Sequence, residues 1–91
     1  MAGNEAMIAG IGLNELRCGA AAYIMEVEAR GELRRRLIEL GYFPGERVEK
    51  VLTGPLGDPS AYLVRGTVTA IRSDDAAKVR VDGRTEAEGW D

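Results

Sequence analysis

The 91-residue sequence contains no histidine and only one cysteine, Cys18. Without histidine, neither a Ser-His-Asp triad nor a Cys-His pair can form, and a transition metal finds no imidazole ligand. A single cysteine excludes an intramolecular disulfide and indicates a reducing compartment. The carboxylates of Asp58, Asp74, Asp75 and Asp82 lack the spacing of a calcium-binding loop. The sequence therefore predicts a protein that is not an enzyme, has no cofactor and holds no physiological iron site.

Long apolar segments and an excess of positive charge are also absent. The segment Met1–Leu13 is mildly apolar, but it contains Asn4 and Glu5, has no basic start and is too short to cross a membrane. The net charge is -3, whereas a protein that neutralises nucleic-acid phosphates is expected to be positive. We therefore expect a cytoplasmic protein that neither inserts into a membrane nor binds nucleic acid.

Aromatic residues make up only 5% of the chain, whereas apolar residues make up 45% and charged residues 30%. This balance is typical of one small globular domain, and its core must be built mainly from Val, Ile, Leu and Ala. We predict a flexible N-terminal extension over residues 1–12, a folded domain over residues 13–82 and a polar tail over residues 83–91.

One helix is indicated by apolar periodicity. Leu33, Leu37 and Leu40 follow the i, i+4, i+7 spacing of a helical stripe, which predicts a helix over Glu32–Leu40. Gly41 stands where a left-handed C-cap is expected, and a proline follows three residues later. The helix should therefore end at Gly41.

The remaining patterns predict short strands separated by turns. The segment Gly54–Pro59 contains two glycines and two prolines and is predicted to be a loop, and Ser73–Ala77 resembles an N-cap followed by one helical turn. The connections are too short for parallel crossovers, so the sheet should be antiparallel and curled into a small barrel. Five strands are predicted, over Ala20–Val27, Arg47–Thr53 with a bulge or strong bend, Ala61–Arg65, Thr67–Arg72 and Lys78–Asp82.

An ordered set of motifs within Leu16–Val81 resembles the FeoA family. Each motif is weak by itself, whereas their order and combination are specific. The motifs are the block Arg36-Leu37-Ile38-Glu39-Leu40-Gly41-Tyr42-Phe43-Pro44-Gly45, then Pro55-Leu56-Gly57-Asp58-Pro59, then Gly66, then Ala70-Ile71-Arg72 with Ala76, and finally Val79-Arg80-Val81.

The resemblance implies an SH3-like antiparallel β-barrel of about five strands with one short helix and one helical turn. It also implies a cytosolic partner of FeoB, a membrane Fe(II) transporter with a GTP-binding domain. The same module is similar to the C-terminal domain of iron- and manganese-dependent repressors of the DtxR type. The alternative is therefore a stand-alone regulatory module that binds a proline-rich peptide or such a repressor. Weak self-association through exposed edge strands stays open.

Seven residues are candidate contacts to a partner. Arg34, Arg35 and Ile38 lie off the leucine stripe of the predicted helix, and an apolar residue there suits a contact. The aromatic pair Tyr42-Phe43 follows the helix end, where one ring is expected in the core and the other exposed. Loops carry binding residues more often than the scaffold does, which adds Leu56 and Asp58.

Overall fold

The computed structural model describes residues 10–82. These residues form six strands, two α-helices and two single 3-10 turns. The elements are β1 (Ile11–Gly12), a 3-10 turn (Leu13–Glu15), β2 (Ala21–Val27), α1 (Gly31–Glu39), β3 (Arg47–Thr53), a second 3-10 turn (Pro55–Gly57), β4 (Ser60–Val64), β5 (Thr67–Ile71), α2 (Ser73–Ala76) and β6 (Val79–Val81). The predicted tail over residues 83–91, and residues 1–9 of the predicted extension, lie outside the described residues.

All pairings in the sheet are antiparallel, and the strand order is β1-β6-β2-β3-β4-β5. Two irregularities bend it: one in the β2–β6 pairing between Ile24 and Glu26, and one in the β3–β4 pairing between Lys50 and Leu52. The second irregularity confirms the prediction of a bulge or strong bend in β3. Within residues 10–82, β1 and β5 do not pair with each other, so the SH3-like barrel is open along this seam.

The folded domain begins earlier than the sequence predicted. Ile11 pairs with Val81 and Gly12 pairs with Arg80, so two residues assigned to a flexible extension are strand residues. A two-residue strand is too short to show alternation, and its partner lies about seventy residues away in sequence. Long-range pairing with β6, rather than a local pattern, creates β1.

The N-cap prediction for the second helix is wrong. Ser73 is the first residue of α2, and Arg72 occupies the cap position without a side-chain capping bond. The Ser73 backbone N–H instead donates to Asp58 Oδ1 at 2.8 Å, from the loop between β3 and β4. The sequence predicted that the Ser73 side chain would cap this helix. Instead, the carboxylate of Asp58, fifteen residues away, accepts a hydrogen bond from the first N–H of the helix.

The end of α1 is confirmed. Gly41 has a φ of +102°, its N–H donates to Ile38 O at 2.9 Å, and the Tyr42 N–H donates to Leu37 O at 3.0 Å. This pair of bonds defines a Schellman motif. Leu37 and Tyr42 are both buried, so the motif also places the Tyr42 ring in the core.

The core is aliphatic, as the composition predicted, with two tyrosines as its largest side chains. Burial raises the pKa of Tyr42 and, to a lesser degree, that of Tyr62. Among the described residues one charged side chain, Lys50, is buried with them, and its Nζ donates to Asn14 O at 3.1 Å and lies 5.9 Å from the centre of the Tyr62 ring. The buried apolar residues are Leu13, Leu16, Ala20, Ala22, Ile24, Val27, Ala29, Leu37, Tyr42, Val48, Tyr62, Val64, Ile71, Ala76, Val79 and Val81.

Candidate partner-binding groove

A groove of about 550 Å³ lies between the outer face of α1 and the turn that follows it. The helix packs Leu37 into the core, with Leu33 and Leu40 packed against its edge. The opposite side of α1 is therefore turned away from the sheet, and the chain after Gly41 folds back to form the second wall. We call this feature the α1 groove; it is lined by Gly31, Arg34, Arg35, Ile38, Glu39, Phe43 and Pro44.

The centre of the α1 groove is apolar. Ile38 is half-buried, and Phe43 is 38% exposed although the ring is large and apolar. The turn that presents Phe43 is held by two backbone bonds, from the Phe43 N–H to Gly41 O at 3.0 Å and from the Glu46 N–H to Phe43 O at 3.0 Å. An exposed aromatic ring on a fixed turn is a surface that a partner side chain can cover.

Two arginines carry the positive charge of the α1 groove. Arg34 Nη1 donates to Val27 O at 3.2 Å, a bond that ties α1 to the end of β2. Arg35 pairs with Glu32 on the same helix, and both side chains of this pair are largely exposed. An exposed pair of this kind contributes little to stability, so its arginine can exchange partners at small cost. Glu39 adds one carboxylate to the rim.

This arrangement is suited to binding rather than to chemistry. The residues that line the α1 groove supply guanidinium groups, one carboxylate and apolar surface, but no thiol, hydroxyl or imidazole group. An apolar side chain of a partner would pack against Ile38 and Phe43, while a neighbouring carboxylate would accept hydrogen bonds from Arg34 or Arg35.

Comparison with known families decides the identity. A sequence model of the FeoA domain family matches residues 11–83. The chain belongs to the FeoA family. This family is associated with ferrous iron transport and consists of small SH3-like domains. The resemblance drawn from the sequence motifs is therefore confirmed, and so is the mainly β, SH3-like fold class.

A curated FeoA relative comes from Porphyromonas gingivalis. It is a fusion of Fe(2+) transport protein A with the Fe(2+) transporter FeoB, and it is 39% identical over 70 residues. The match covers 77% of this chain and 8% of the fusion protein, so the chain corresponds to a small part of that relative.

Solved FeoA structures share the fold. FeoA of Stenotrophomonas maltophilia, an SH3 domain protein solved in complex with zinc, is 35% identical with a TM-score of 0.75, and the match covers 82% of this chain and 93% of that one. IdeR of T. acidophilum has a TM-score of 0.70 at 21% identity, over 82% of this chain and 34% of that one. At that identity the likeness to IdeR concerns the fold alone.

Two further features of this FeoA-family chain concern membranes and metals. Over residues 10–82, no helix combines the length and apolar character needed to cross a membrane. The same stretch has no group of three or more His, Cys, Asp or Glu side chains positioned to hold a metal ion.

The structure brings four of the seven predicted contact residues together. Arg34, Arg35, Ile38 and Phe43 all line the α1 groove. Tyr42 does not, because it is 1% exposed and its ring belongs to the core. The prediction that one ring of the pair would be buried and the other exposed is correct, and Tyr42 is thereby removed as a partner contact.

The two loop candidates lie elsewhere. β3 begins three residues after Pro44 and runs seven residues to the loop, so Leu56 lies at the far end of a strand that spans about 20 Å. Leu56 is fully exposed, with a φ of +60°. Asp58 is exposed, but its carboxylate accepts a hydrogen bond from the Ser73 backbone N–H, so its role in the fold is structural.

Sequence reasoning missed three lining residues, Gly31, Glu39 and Pro44. The sequence analysis used Pro44 only as a signal for the end of the helix, whereas its ring also lines the α1 groove. The helical spacing of Arg35 and Glu39 does place them on one face. Only the fold, however, shows that the chain after Gly41 returns to that face.

Proposed function

We propose that this chain is a cytosolic accessory protein of ferrous iron uptake that binds a FeoB-type transporter and adjusts its GTP turnover or its assembly. The observation that carries the proposal is the Porphyromonas gingivalis relative, in which a segment homologous to this chain is covalently joined to FeoB. A fusion keeps two domains at high effective concentration, which is useful when the separate domains must bind each other.

The α1 groove is the surface we assign to this contact. Its apolar centre, formed by Ile38 and Phe43, would give affinity through burial, and its arginines would select a partner segment that carries a carboxylate. In this proposal the chain performs no chemistry of its own. Its effect on GTP turnover would arise from binding alone, through a preference for one conformation of the transporter.

The test is a calorimetric titration of the chain against the cytosolic GTP-binding domain of FeoB, with and without nucleotide, together with GTP hydrolysis in the same mixtures. We expect saturable binding and a changed hydrolysis rate. Ile38→Glu should weaken binding at least about tenfold, equivalent to about 1.4 kcal/mol, because it places a charge in the apolar centre. Arg35→Gln should weaken binding as well, although in the free protein it removes only an exposed ion pair.

Leu56→Glu is the matched control, since it introduces the same charge at an exposed leucine near the other end of β3. This variant should bind within about twofold of the wild type. If Leu56→Glu weakened binding as much as Ile38→Glu, the α1 groove would not be the docking site. Absence of binding to both the isolated domain and full-length FeoB, by a folded wild-type chain, would contradict the proposed function itself.

A further inference from the structure

Within residues 10–82, strand β5 has one unpaired edge. In the described sheet, β2, β3, β4 and β6 each pair on both sides, whereas β5 pairs with β4 alone. Its pairing with β4 is regular over five residue pairs, from Val64↔Thr67 to Ser60↔Ile71. Across residues 10–82, no backbone bond outside the β4–β5 ladder involves the residues of β5.

The hairpin geometry decides which backbone groups face this edge. β4 and β5 are joined by Arg65 and Gly66, whose φ values of +53° and +81° indicate a two-residue turn of the I′ kind. The closing pair Val64 and Thr67 is then hydrogen-bonded, and hydrogen-bonded pairs alternate along the ladder. The N–H and C=O groups of Val68 and Ala70 therefore point away from β4, toward the open edge.

β5 lacks the features by which edge strands usually avoid pairing. Its sequence, Thr67 to Ile71, contains no charge and no proline, and it has no bulge. On the outer face of the sheet the residues of β4 next to it, Ala61 and Leu63, are uncharged as well, and the first charge in these rows is Glu49 on β3, opposite Leu63. On that face Leu52 pairs with Ala61 and Ala61 with Ala70, while Leu63 pairs with Val68. Leu52 is 62% exposed and Val68 is 59% exposed.

We infer that β5 pairs with β5 of a second copy of this chain, in an antiparallel dimer whose two-fold axis passes beside Thr69. In this register Val68 lies opposite Ala70 of the other copy, and each such pair exchanges two backbone hydrogen bonds. All the outward-facing groups of Val68 and Ala70 are then satisfied, by four bonds. The pairing is isologous, so it closes at two copies.

The occupant is a second copy because β5 is complementary to itself. In the proposed register the apolar rows of the outer face continue across the axis, since Ala70 meets Val68 of the other copy. The flanking charges do not oppose each other: Arg72 lies opposite Gly66, and Arg65 lies opposite Ser73. Residues 10–82 contain eleven Lys or Arg and eleven Asp or Glu, so this part of the chain has no net charge, and the net charge of -3 of the full chain comes from residues 1–9 and 83–91.

The test is sedimentation velocity of the full chain from about 10 µM to about 1 mM, a range suited to an interface at the small end of the known size classes. We expect a reversible monomer–dimer equilibrium. Amide hydrogen exchange by NMR should show slower exchange at Val68 and Ala70 as the concentration rises. Val48, which pairs with Ala22 on one side and with Val64 on the other, should show no such change.

Two double variants distinguish dimerisation in the proposed register from non-specific association of this apolar face. Val68→Lys with Ala70→Lys places like charges opposite each other in both outer pairs and should weaken dimerisation at least tenfold. Val68→Glu with Ala70→Lys changes the same positions but places opposite charges together, and its dimerisation should stay within threefold of the wild type. Thermal unfolding confirms that both variants fold.

Three results would overturn the inference. The first is a wild type that stays monomeric at about 1 mM, which would leave the β5 edge to another protein or to no partner. The second is dimerisation that persists in the double lysine variant, which would place the interface elsewhere. The third is equal loss in the two folded double variants, which would exclude this register.

Discussion

The hydroxyl group of Tyr42 lies in the core without a hydrogen-bond partner in the described part of the chain. An unpaired buried hydroxyl costs folding free energy, because it leaves water and gains nothing in exchange. The aromatic ring, in contrast, is packed in the core, where Tyr42 is only 1% exposed. Tyr42 therefore contributes through its ring, while its oxygen opposes folding.

Tyr42→Phe should leave the free energy of unfolding unchanged or raise it by up to about 1 kcal/mol, because it removes only the unpaired oxygen. Tyr62→Phe is the matched control, since the Tyr62 hydroxyl bonds with the Ser60 side chain and its loss should cost about 1 kcal/mol. Urea unfolding at pH 7 measures both changes. A clear loss of stability in Tyr42→Phe would mean that its hydroxyl has a partner.

The same burial predicts a dependence on alkaline pH. Burial raises the pKa of Tyr42 in the folded protein, whereas the unfolded chain ionises this tyrosine near pH 10. Above pH 10 the unfolded state therefore binds fewer protons, and the free energy of unfolding falls by up to about 1.4 kcal/mol per pH unit. Below pH 10 the tyrosine is neutral in both states, so its ionisation lowers stability only above that pH. Tyr42→Phe should show a shallower fall than the wild type over the same range.

At the scale of the elements, the C-terminal end of α1 depends on the backbone conformation of Gly41. The Schellman motif places Gly41 at a φ of +102°, a backbone conformation that residues with a Cβ rarely adopt. A Cβ at Gly41 would also lie 2.8 Å from Arg65 Cδ, on the hairpin turn between β4 and β5. The end of α1 therefore sets both the wall of the α1 groove and the contact with this hairpin.

Gly41→Ala should lower the free energy of unfolding by about 1–2 kcal/mol, from the strained φ. Gly45→Ala is the matched control, because Gly45 has a similar φ of +95° but no atom within 4 Å of an added Cβ. Since Arg65 is exposed and flexible, its displacement should add little, and the two variants should be destabilised to a similar extent in urea. A much larger loss in Gly41→Ala would show that the Arg65 contact is rigid.

At the scale of the whole molecule, one core holds the domain together. Within residues 10–82, every buried core residue lies between Leu13 and Val81. β1 lies just before this range. It covers the edge of β6 and places Ile11 against the core.

We predict that a chain trimmed to residues 10–82 keeps its free energy of unfolding within about 0.5 kcal/mol of the full chain. Removal of residues 10–12 as well should cost about 1–2 kcal/mol, because Ile11 loses its burial and β6 loses a partner strand. Urea unfolding of the three lengths measures both steps. Equal stability of the two trimmed chains would restore the domain start at residue 13 that the sequence predicted.

The sequence by itself determined the elements that depend on local physics. The leucine stripe and Gly41 define α1 because apolar spacing and a positive φ are properties of neighbouring residues. The bulge or strong bend in β3, the loop over Gly54–Pro59 and the exposure of one ring in the pair Tyr42-Phe43 were predicted for the same reason. Ordered motifs were sufficient to indicate the FeoA family.

Only the tertiary structure decided the features that join distant residues. β1 exists because Ile11 reaches Val81, and α2 begins at Ser73 because Asp58 supplies the acceptor for its first N–H. The α1 groove, likewise, needs the chain after Gly41 to return beside Arg34 and Ile38. Contacts of this kind depend on which distant segments the tertiary fold brings together, and they cannot be read from the spacing of residues along the sequence. For the same reason Leu56 was grouped with residues from which a whole strand separates it.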